Sequence, residues 1–205
     1  EGLRRQGKAS VLVAEGGGCL GIIALSDVLR PEAKEMTARL KSMGVETLLL
    51  TGDHRTAADY FAGQAGIGMV CAQLLPEEKV DRIRALQEEG HRVCMIGDGV
   101  NDAPALKTAD VSVAMGSMGS DIAVEAADIA LVGDDLSRLP YLKRLSDATV
   151  RTIKASITLS MCINFGAIVL SLLELLNPTT GALVHNAGSC FVVLIAALLY
   201  DRKFV

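Results

Sequence analysis

The chain has 205 residues, half of them hydrophobic and only 3% aromatic, with 21% charged and a formal net charge of -4. This composition excludes a disordered polymer, which would be poor in aliphatic side chains, and argues against a nucleic-acid partner, which would call for a basic excess. Five cysteines in a chain of this length do not make a disulfide scaffold.

In chain order, Cys19–Leu25 is predicted to be a strand. Pro31 opens a helix in the first turn, where its missing N–H costs little, and Gly44 closes it. Thr47–Thr51 is a strand, Arg55–Ala65 a helix and Met69–Ala72 a short strand. Pro76 opens another helix, which Gly90 caps. Arg92–Gly97 is a strand followed by a short helix over Ala103–Lys107. Val111–Met115 and Ile129–Val132 are further strands, with a helix near Asp121–Ala126 between them. Alternating helices and near-continuous apolar strands predict an α/β fold, a Rossmann-like parallel sheet covered on both faces. Cys19, Cys71 and Cys94 lie on or beside these strands and are expected to pack in the core.

Ligands of such sheets bind at the C-terminal strand ends, and three places there carry polar chemistry. Thr51-Gly52-Asp53 follows one strand, and Gly97-Asp98-Gly99-Val100-Asn101-Asp102 follows another. Lys79 stands in the first turn of the helix opened by Pro76. An alcohol, a cation and two carboxylates at one edge suit phosphoryl transfer. Thr51 would donate to a phosphate oxygen and Lys79 would neutralise charge on it. Asp98, with Asp102 close by, would hold a hard cation, Mg2+, through oxygen ligands. Gly97 and Gly99 let the backbone turn sharply there. A lone Thr-Gly-Asp is usually a plain turn, and a lone helical lysine is usually solvated. Six constrained positions directly after an aliphatic strand are harder to explain by structure alone.

The tail needs a different solvent. From Ala155 to Tyr200 the only charged side chain is Glu174. Ile157–Leu176 and Gly181–Tyr200 are each about 20 residues, roughly 30 Å as helices, the thickness of a bilayer core. Asn177-Pro178-Thr179-Thr180-Gly181 between them has a turn composition. Lys143, Arg144, Arg151 and Lys154 flank the pair on one side, and Arg202 and Lys203 on the other. The positive-inside rule places both outer ends in the cytoplasm. A buried helical hairpin in a large soluble core is the alternative. Polar groups inside a bilayer mark a pathway or a helix contact. The second span carries His185, Asn186, Ser189 and Cys190; His185 and Ser189 share a helix face, as do Asn186 and Cys190. His and Cys are ligands for transition metals. Cys162 and Asn164 in the first span are further candidates, although small polar residues there more often join helices. Glu174 is expected to face water.

Gly97–Leu106, GDGVNDAPAL, resembles the hinge motif of P-type ATPases, which share the haloacid dehalogenase-like fold. Asp27-Val28-Leu29-Arg30-Pro31 resembles their Asp-x-x-Arg element, Thr51-Gly52-Asp53 their Thr-Gly-Asp motif and Pro76-Glu77-Glu78-Lys79 their Pro-x-x-Lys motif. The run Met115–Pro140, and two spans soon after it, are similar to the heavy-metal subclass, type IB. The resemblance implies that Asp98 ligates Mg2+ with Asp102 in support, and that Thr51 and Lys79 contact the phosphoryl group of ATP. It implies that Asp27, Arg30 and Asp53 lie on the nucleotide side, with Gly52, Gly97, Gly99 and Asn101 shaping the site. His54 stands where many relatives have Asn. In the last span, His185, then Asn186 and Ser189, become the candidates for the transported ion.

The resemblance divides the chain into residues 1–26, the end of a nucleotide-binding domain and its return strand, 27–150, the C-terminal portion of a phosphorylation domain, and 155–205, two transmembrane helices. It implies a multi-pass protein of a prokaryotic plasma membrane with a cytoplasmic phosphorylation domain, working with the remaining N-terminal part of the pump. The Asp-Lys-Thr-Gly-Thr nucleophile motif is absent from these residues. The expectation is a C-terminal piece of an ATP-driven transition-metal translocase that forms no aspartyl-phosphate by itself. Zinc and cadmium exporters of the subclass often carry an acidic residue in the last span, where His-Asn stands here, so cobalt, nickel, copper and manganese stay open. A soluble phosphatase of the superfamily is an alternative, but it needs an Asp-x-Asp pair, and the first 30 residues offer only Asp27. A truncated chain that binds metal or regulates a partner pump is another.

Overall fold

The computed structural model describes residues 7–97, 100–115, 125–133 and 135–199. The chain divides into two compact units, Glu1–Arg138 and Leu139–Val205.

The first unit begins with an antiparallel hairpin, β1 (Lys8–Glu15) and β2 (Gly18–Ser26). Gly16 and Gly17 make its turn with φ of 57° and 86°, the left-handed pair that a tight hairpin turn requires. This corrects the expectation for Cys19–Leu25. That strand forms, but its partner is the unpredicted Lys8–Glu15 in antiparallel register. Leu12, Leu20, Ile22, Ile23 and Leu25 are all exposed.

The remaining strands are parallel, as their aliphatic runs predict. β3 (Leu48–Leu50) pairs with β4 (Met69–Cys71), and β5 (Cys94–Gly97) pairs with β6 (Val111–Met115), which pairs with β7 (Ile129–Leu131). The parallel strands expected in one sheet thus fall in two, β3–β4 and β5–β6–β7, among the described residues. Helices α1 (Ala33–Ser42), α2 (Arg55–Ala65), α3 (Pro76–Glu88) and α4 (Ala103–Thr108) connect them. Pro31 and Glu32 form a turn ahead of α1, whose first amide, at Ala33, donates to the Arg30 carbonyl at 3.0 Å. Of the helix expected near Asp121–Ala126, only Glu125 and Ala126 are described and helical; 116–124 lie outside the described residues.

α1, α2 and α3 end alike. The amides of Gly44, Gly66 and Gly90, and of the residue after each, turn back onto the last carbonyls of their helices, the Schellman arrangement that needs a left-handed residue. The start of α3 is held by Pro76 and by the Leu75 amide donating to Glu78 Oε2 at 2.7 Å. Glu77 and Glu78 in the first turn complement the helix dipole.

Two packing centres hold this unit. Val80, Ile83, Met95, Ala105, Leu106 and Ala114 form one, with Leu50 against it. It joins α3 and α4 to β5 and β6, and burying Ile83 or Leu106 contributes about 2–3 kcal/mol each. The other lies between α1 and α2, where Ala58, Ala62 and Ala65 put an alanine stripe inward and the buried Thr37 hydroxyl donates to the Ala65 carbonyl. Cys19 and Cys94 are exposed and Cys71 is half-buried, which corrects the expectation of core packing. Cys19 lies on the exposed hairpin and Cys94 on β5, where Met95 and Gly97 take the buried positions.

The second unit is two helices, α5 (Arg138–Leu172) and α6 (Pro178–Ala197). α5 is continuous for 35 residues, so the segment after Asp135 and the first apolar span are one helix of roughly 52 Å. The turn sits at Leu173–Asn177, earlier than the predicted Asn177–Gly181. Pro178 opens α6, because its fixed φ suits a first helical position, and the Asn177 amide donates to the Thr180 hydroxyl at 2.9 Å. Glu174 takes the left-handed position that glycine fills elsewhere, with φ 57°, and it is exposed as expected. Both helices contain apolar windows long enough to cross a membrane, with mean hydropathies of 1.8 and 1.6. Tyr200, the predicted end of the second span, lies outside the described residues.

Candidate phosphoryl-transfer site

Thr51 leaves β3 between two backbone bonds. Its amide donates to the Cys71 carbonyl at 3.0 Å, and its carbonyl accepts from the Leu74 amide at 3.0 Å. Asp53 accepts from the Gln73 amide at 2.9 Å. The Thr-Gly-Asp loop is thus stitched to the loop that enters α3. Gly52 lies in that seam, where a Cβ would stand 3.4 Å from the Leu74 carbonyl oxygen. Gln73 is held at φ 60° beside it. The Thr51 hydroxyl donates to Asp53 Oδ2 at 2.9 Å and accepts the Asp53 amide at 3.1 Å, so the group assigned to a phosphate oxygen is here turned toward its neighbour.

One turn into α3, Lys79 meets Asp102. Its Nζ lies 2.8 Å from Asp102 Oδ1, with side chains 13% and 15% exposed. A pair this withdrawn from water is costly to break, because removing either partner strands a charge. Asp102 ends a 3-10 turn, Val100–Asp102, and stands at the N-cap position of α4 without a side-chain capping bond. Its position explains the glycine at 97: a Cβ there would lie 2.7 Å from the Asp102 Cβ. The requirement is close approach of a side chain, not an unusual backbone angle. Asn101 is exposed. Asp98 and Gly99 lie outside the described residues.

Asp27 and Arg30 reach a different part of the site. Together with Thr51 and Asp53 they line an open cleft of about 480 Å3, which Phe61 and Leu136 also line. Lys79 and Asp102 are not in its lining. The structure therefore brings Lys79 to Asp102, and Asp27, Arg30, Thr51 and Asp53 to one cleft. The backbone bond between Thr51 and Leu74 joins the two groups. Phe61 and Leu136 have no polar group or motif that would announce them from sequence.

The donor chemistry suits Mg2+. The ion binds through one or two carboxylates, with water and substrate phosphate completing its shell, and Asp102 is one such carboxylate, with Oδ1 bonded to Lys79 and Oδ2 beside Gly97. No cluster of three His, Cys, Asp or Glu side chains is present among the described residues, and this ion does not need one.

Below the site, acidic side chains tie strands together. Asp110 accepts from the Val93 amide at 3.0 Å, Arg92 at 2.6 Å and Gln87 at 3.1 Å, and these donors, the Val93 amide above all, lower its pKa to about 2. Asp128 accepts from the Ser112 hydroxyl and amide at 2.8 and 2.9 Å, which hold its carboxyl below the usual range.

In the second unit, His185 Nδ1 lies 3.0 Å from Asn164 Oδ1. The Ser189 hydroxyl donates to the His185 carbonyl at 3.0 Å, the local back-bond of a helical serine. One turn on, Gly188 faces Ile163, whose Cγ2 would be 3.0 Å from an added Cβ. His185 is thus brought to Asn164 of the other helix; no side-chain bond joins it to Asn186 among the described residues.

Residues 1–110 match the model of the haloacid dehalogenase-like hydrolases, and the chain belongs to that family. Over 93% of its length it is 42% identical to the zinc-exporting P-type ATPase of Mycobacterium marinum and covers 26% of it. It is 41% identical, over the same share, to the manganese-exporting P-type ATPase of Mycobacterium tuberculosis, covering 27%. With the probable cadmium-transporting ATPase of Alkalihalophilus pseudofirmus it shares 43% identity over 82% of its length, covering 23%. Among solved structures it is similar to a zinc-transporting PIB-type ATPase in the E2.Pi state, with a TM-score of 0.89 and 37% identity, over 97% of this chain and 32% of that one. The chain therefore spans about a quarter of the length of these transporters, and its resemblance to heavy-metal P-type ATPases is shown by sequence and fold together.

Proposed function

We propose that this chain is the C-terminal part of an ATP-driven transition-metal translocase: a portion of the phosphorylation domain, residues 27–150, and two membrane-spanning helices. Residues 1–26 are the return from a nucleotide-binding domain, and the nucleophilic aspartate lies outside these 205 residues. The observation that carries this reading is the withdrawn Lys79–Asp102 pair under Gly97, tied through Leu74 to the Thr51-Gly52-Asp53 loop. A fixed cation beside a carboxylate, on a segment bonded to the Thr51 loop, suits the stabilisation of a transferring phosphoryl group.

In this reading Lys79 faces the phosphoryl oxygens with the protons it does not give to Asp102. Thr51 swings its hydroxyl from Asp53 to a phosphate oxygen. Asp98 and Asp102 hold Mg2+, which when bound neutralises charge on the phosphate. Gly97, Gly99 and Asn101 shape that loop. Asp27, Arg30, Gly52 and Asp53 form the nucleotide side, which the cleft shared by Asp27, Arg30 and Asp53 supports. In the bilayer, His185 with Asn186 and Ser189 contact the transported ion. The relatives named for zinc, manganese and cadmium export support a divalent transition-metal cargo. The phosphorylation domain lies in the cytoplasm of a prokaryotic cell, the helices in its plasma membrane.

Coupled ATP hydrolysis by the purified chain in detergent, with and without Zn2+, Mn2+, Cd2+ and Co2+, tests this reading. No turnover above blank is expected. Turnover that Asp98→Ala abolishes would mean the chain carries its own nucleophile.

A further inference from the structure

α5 is much longer than a bilayer is thick. Its charge-free stretch, Ala155 to Leu172, is roughly 27 Å at 1.5 Å per residue, close to a hydrocarbon core. The four to five turns before it carry Lys143, Arg144, Asp147, Arg151 and Lys154. At 100° per residue these five fall within roughly 100° of the helix circumference, so one face is basic. They are not equivalent. Lys143 is committed to Asp147, its Nζ 2.6 Å from Oδ2. It also stands roughly 18 Å along the axis from Ala155, beyond a headgroup layer about 5–8 Å deep. Arg151 and Lys154 stand roughly 6 and 2 Å from Ala155, at headgroup depth, and both are exposed. No acidic side chain lies within ion-pair distance of either among the described residues. Arg151 Nε donates to the Asp147 carbonyl at 3.3 Å, which lays the side chain back along the helix and away from the apolar stretch.

From this placement we propose that Arg151 and Lys154 form a binding site for the phosphate of an anionic phospholipid at the end of α5. The inference rests on the membrane reading of α5 and α6. Two cations on one face, at the depth of lipid phosphates and without acidic partners, complement a phosphodiester. Phosphatidylcholine carries its own cation, so it competes poorly for such a face.

The test is spin-label resonance on the complete 205-residue chain in phosphatidylcholine bilayers. It compares the motionally restricted fraction of spin-labelled phosphatidylglycerol with that of spin-labelled phosphatidylcholine. The expected result is about a fivefold preference for phosphatidylglycerol, falling toward parity in roughly 1 M salt. In Arg151→Gln/Lys154→Gln the preference is lost, while Lys143→Gln keeps it. Equal restriction of the two lipids by the unaltered chain overturns the site, and so does a preference that survives the double substitution. Because the salt comparison uses the unaltered chain, the site can be refuted even if the variants do not fold. Restriction of neither lipid, with no flotation on vesicles, would instead refute the membrane reading itself.

Discussion

Gly97 shows how much one missing methyl group decides. A Cβ there would meet the Cβ and carboxylate of Asp102 at 2.7–3.1 Å, and Asp102 both precedes the first residue of α4 and partners Lys79. Gly97→Ala must push Asp102 aside, so it is expected to cost about 1–3 kcal/mol of stability, read as a lowered unfolding midpoint. Gly52→Ala meets only the Leu74 carbonyl, at 3.4 Å, and should be nearer neutral. Thr51 and Asp102 stand out in the sequence as polar groups after apolar strands, and Lys79 as a lysine in the first turn of a helix opened by proline. Their pairings do not: nothing along the chain says that Lys79 turns to Asp102 or that Thr51 turns to Asp53.

At the scale of elements, Asp110 fastens the end of α3, through Gln87, to the start of β5, through Arg92 and Val93. Its folded pKa of about 2 lies below the ordinary value of about 3.9. A depressed carboxylate stabilises the fold above its unfolded pKa and loses that contribution as pH falls through the folded one. Protection factors of the β5 and β6 amides, taken relative to the intrinsic exchange rate at each pH, should therefore fall between about pH 4 and pH 2, and Asp110→Asn should remove most of that dependence. An unchanged profile in the variant would assign the acid sensitivity elsewhere, with Asp128 next in line. Arg55–Ala65 and Val111–Met115 formed with the predicted bounds, because a glycine stop or an aliphatic run marks each. Lys8–Glu15 was missed because Val11, Leu12 and Val13 form a run without clean alternation, although the three glycines after Glu15 were the available hairpin signal. The turn before Pro178 lies earlier than the composition predicts, because Pro178 reads as a turn residue in the sequence but is the first residue of the next helix.

The molecule has an α/β unit, whose parallel strands lead into loops and helix starts bearing hydroxyl, ammonium and carboxylate groups, and a unit of two helices with long apolar stretches joined by a short turn. The change of composition near Ala155 made that division legible. The membrane-side pairing of His185 with Asn164 was not, because it depends on register between two helices rather than spacing within one. The account stands or falls on whether Thr51, Lys79 and Asp98 serve one magnesium-bound phosphate. The direct measurement is a titration of the labelled chain in detergent with inorganic phosphate and Mg2+, following the amide resonances of Thr51, Gly52, Lys79 and Asp98–Asp102. The account predicts that all of them shift together, with one half-saturation point and only when both solutes are present. Shifts confined to Asp98–Asp102 on adding Mg2+, with Thr51 and Lys79 unmoved by phosphate, would contradict it.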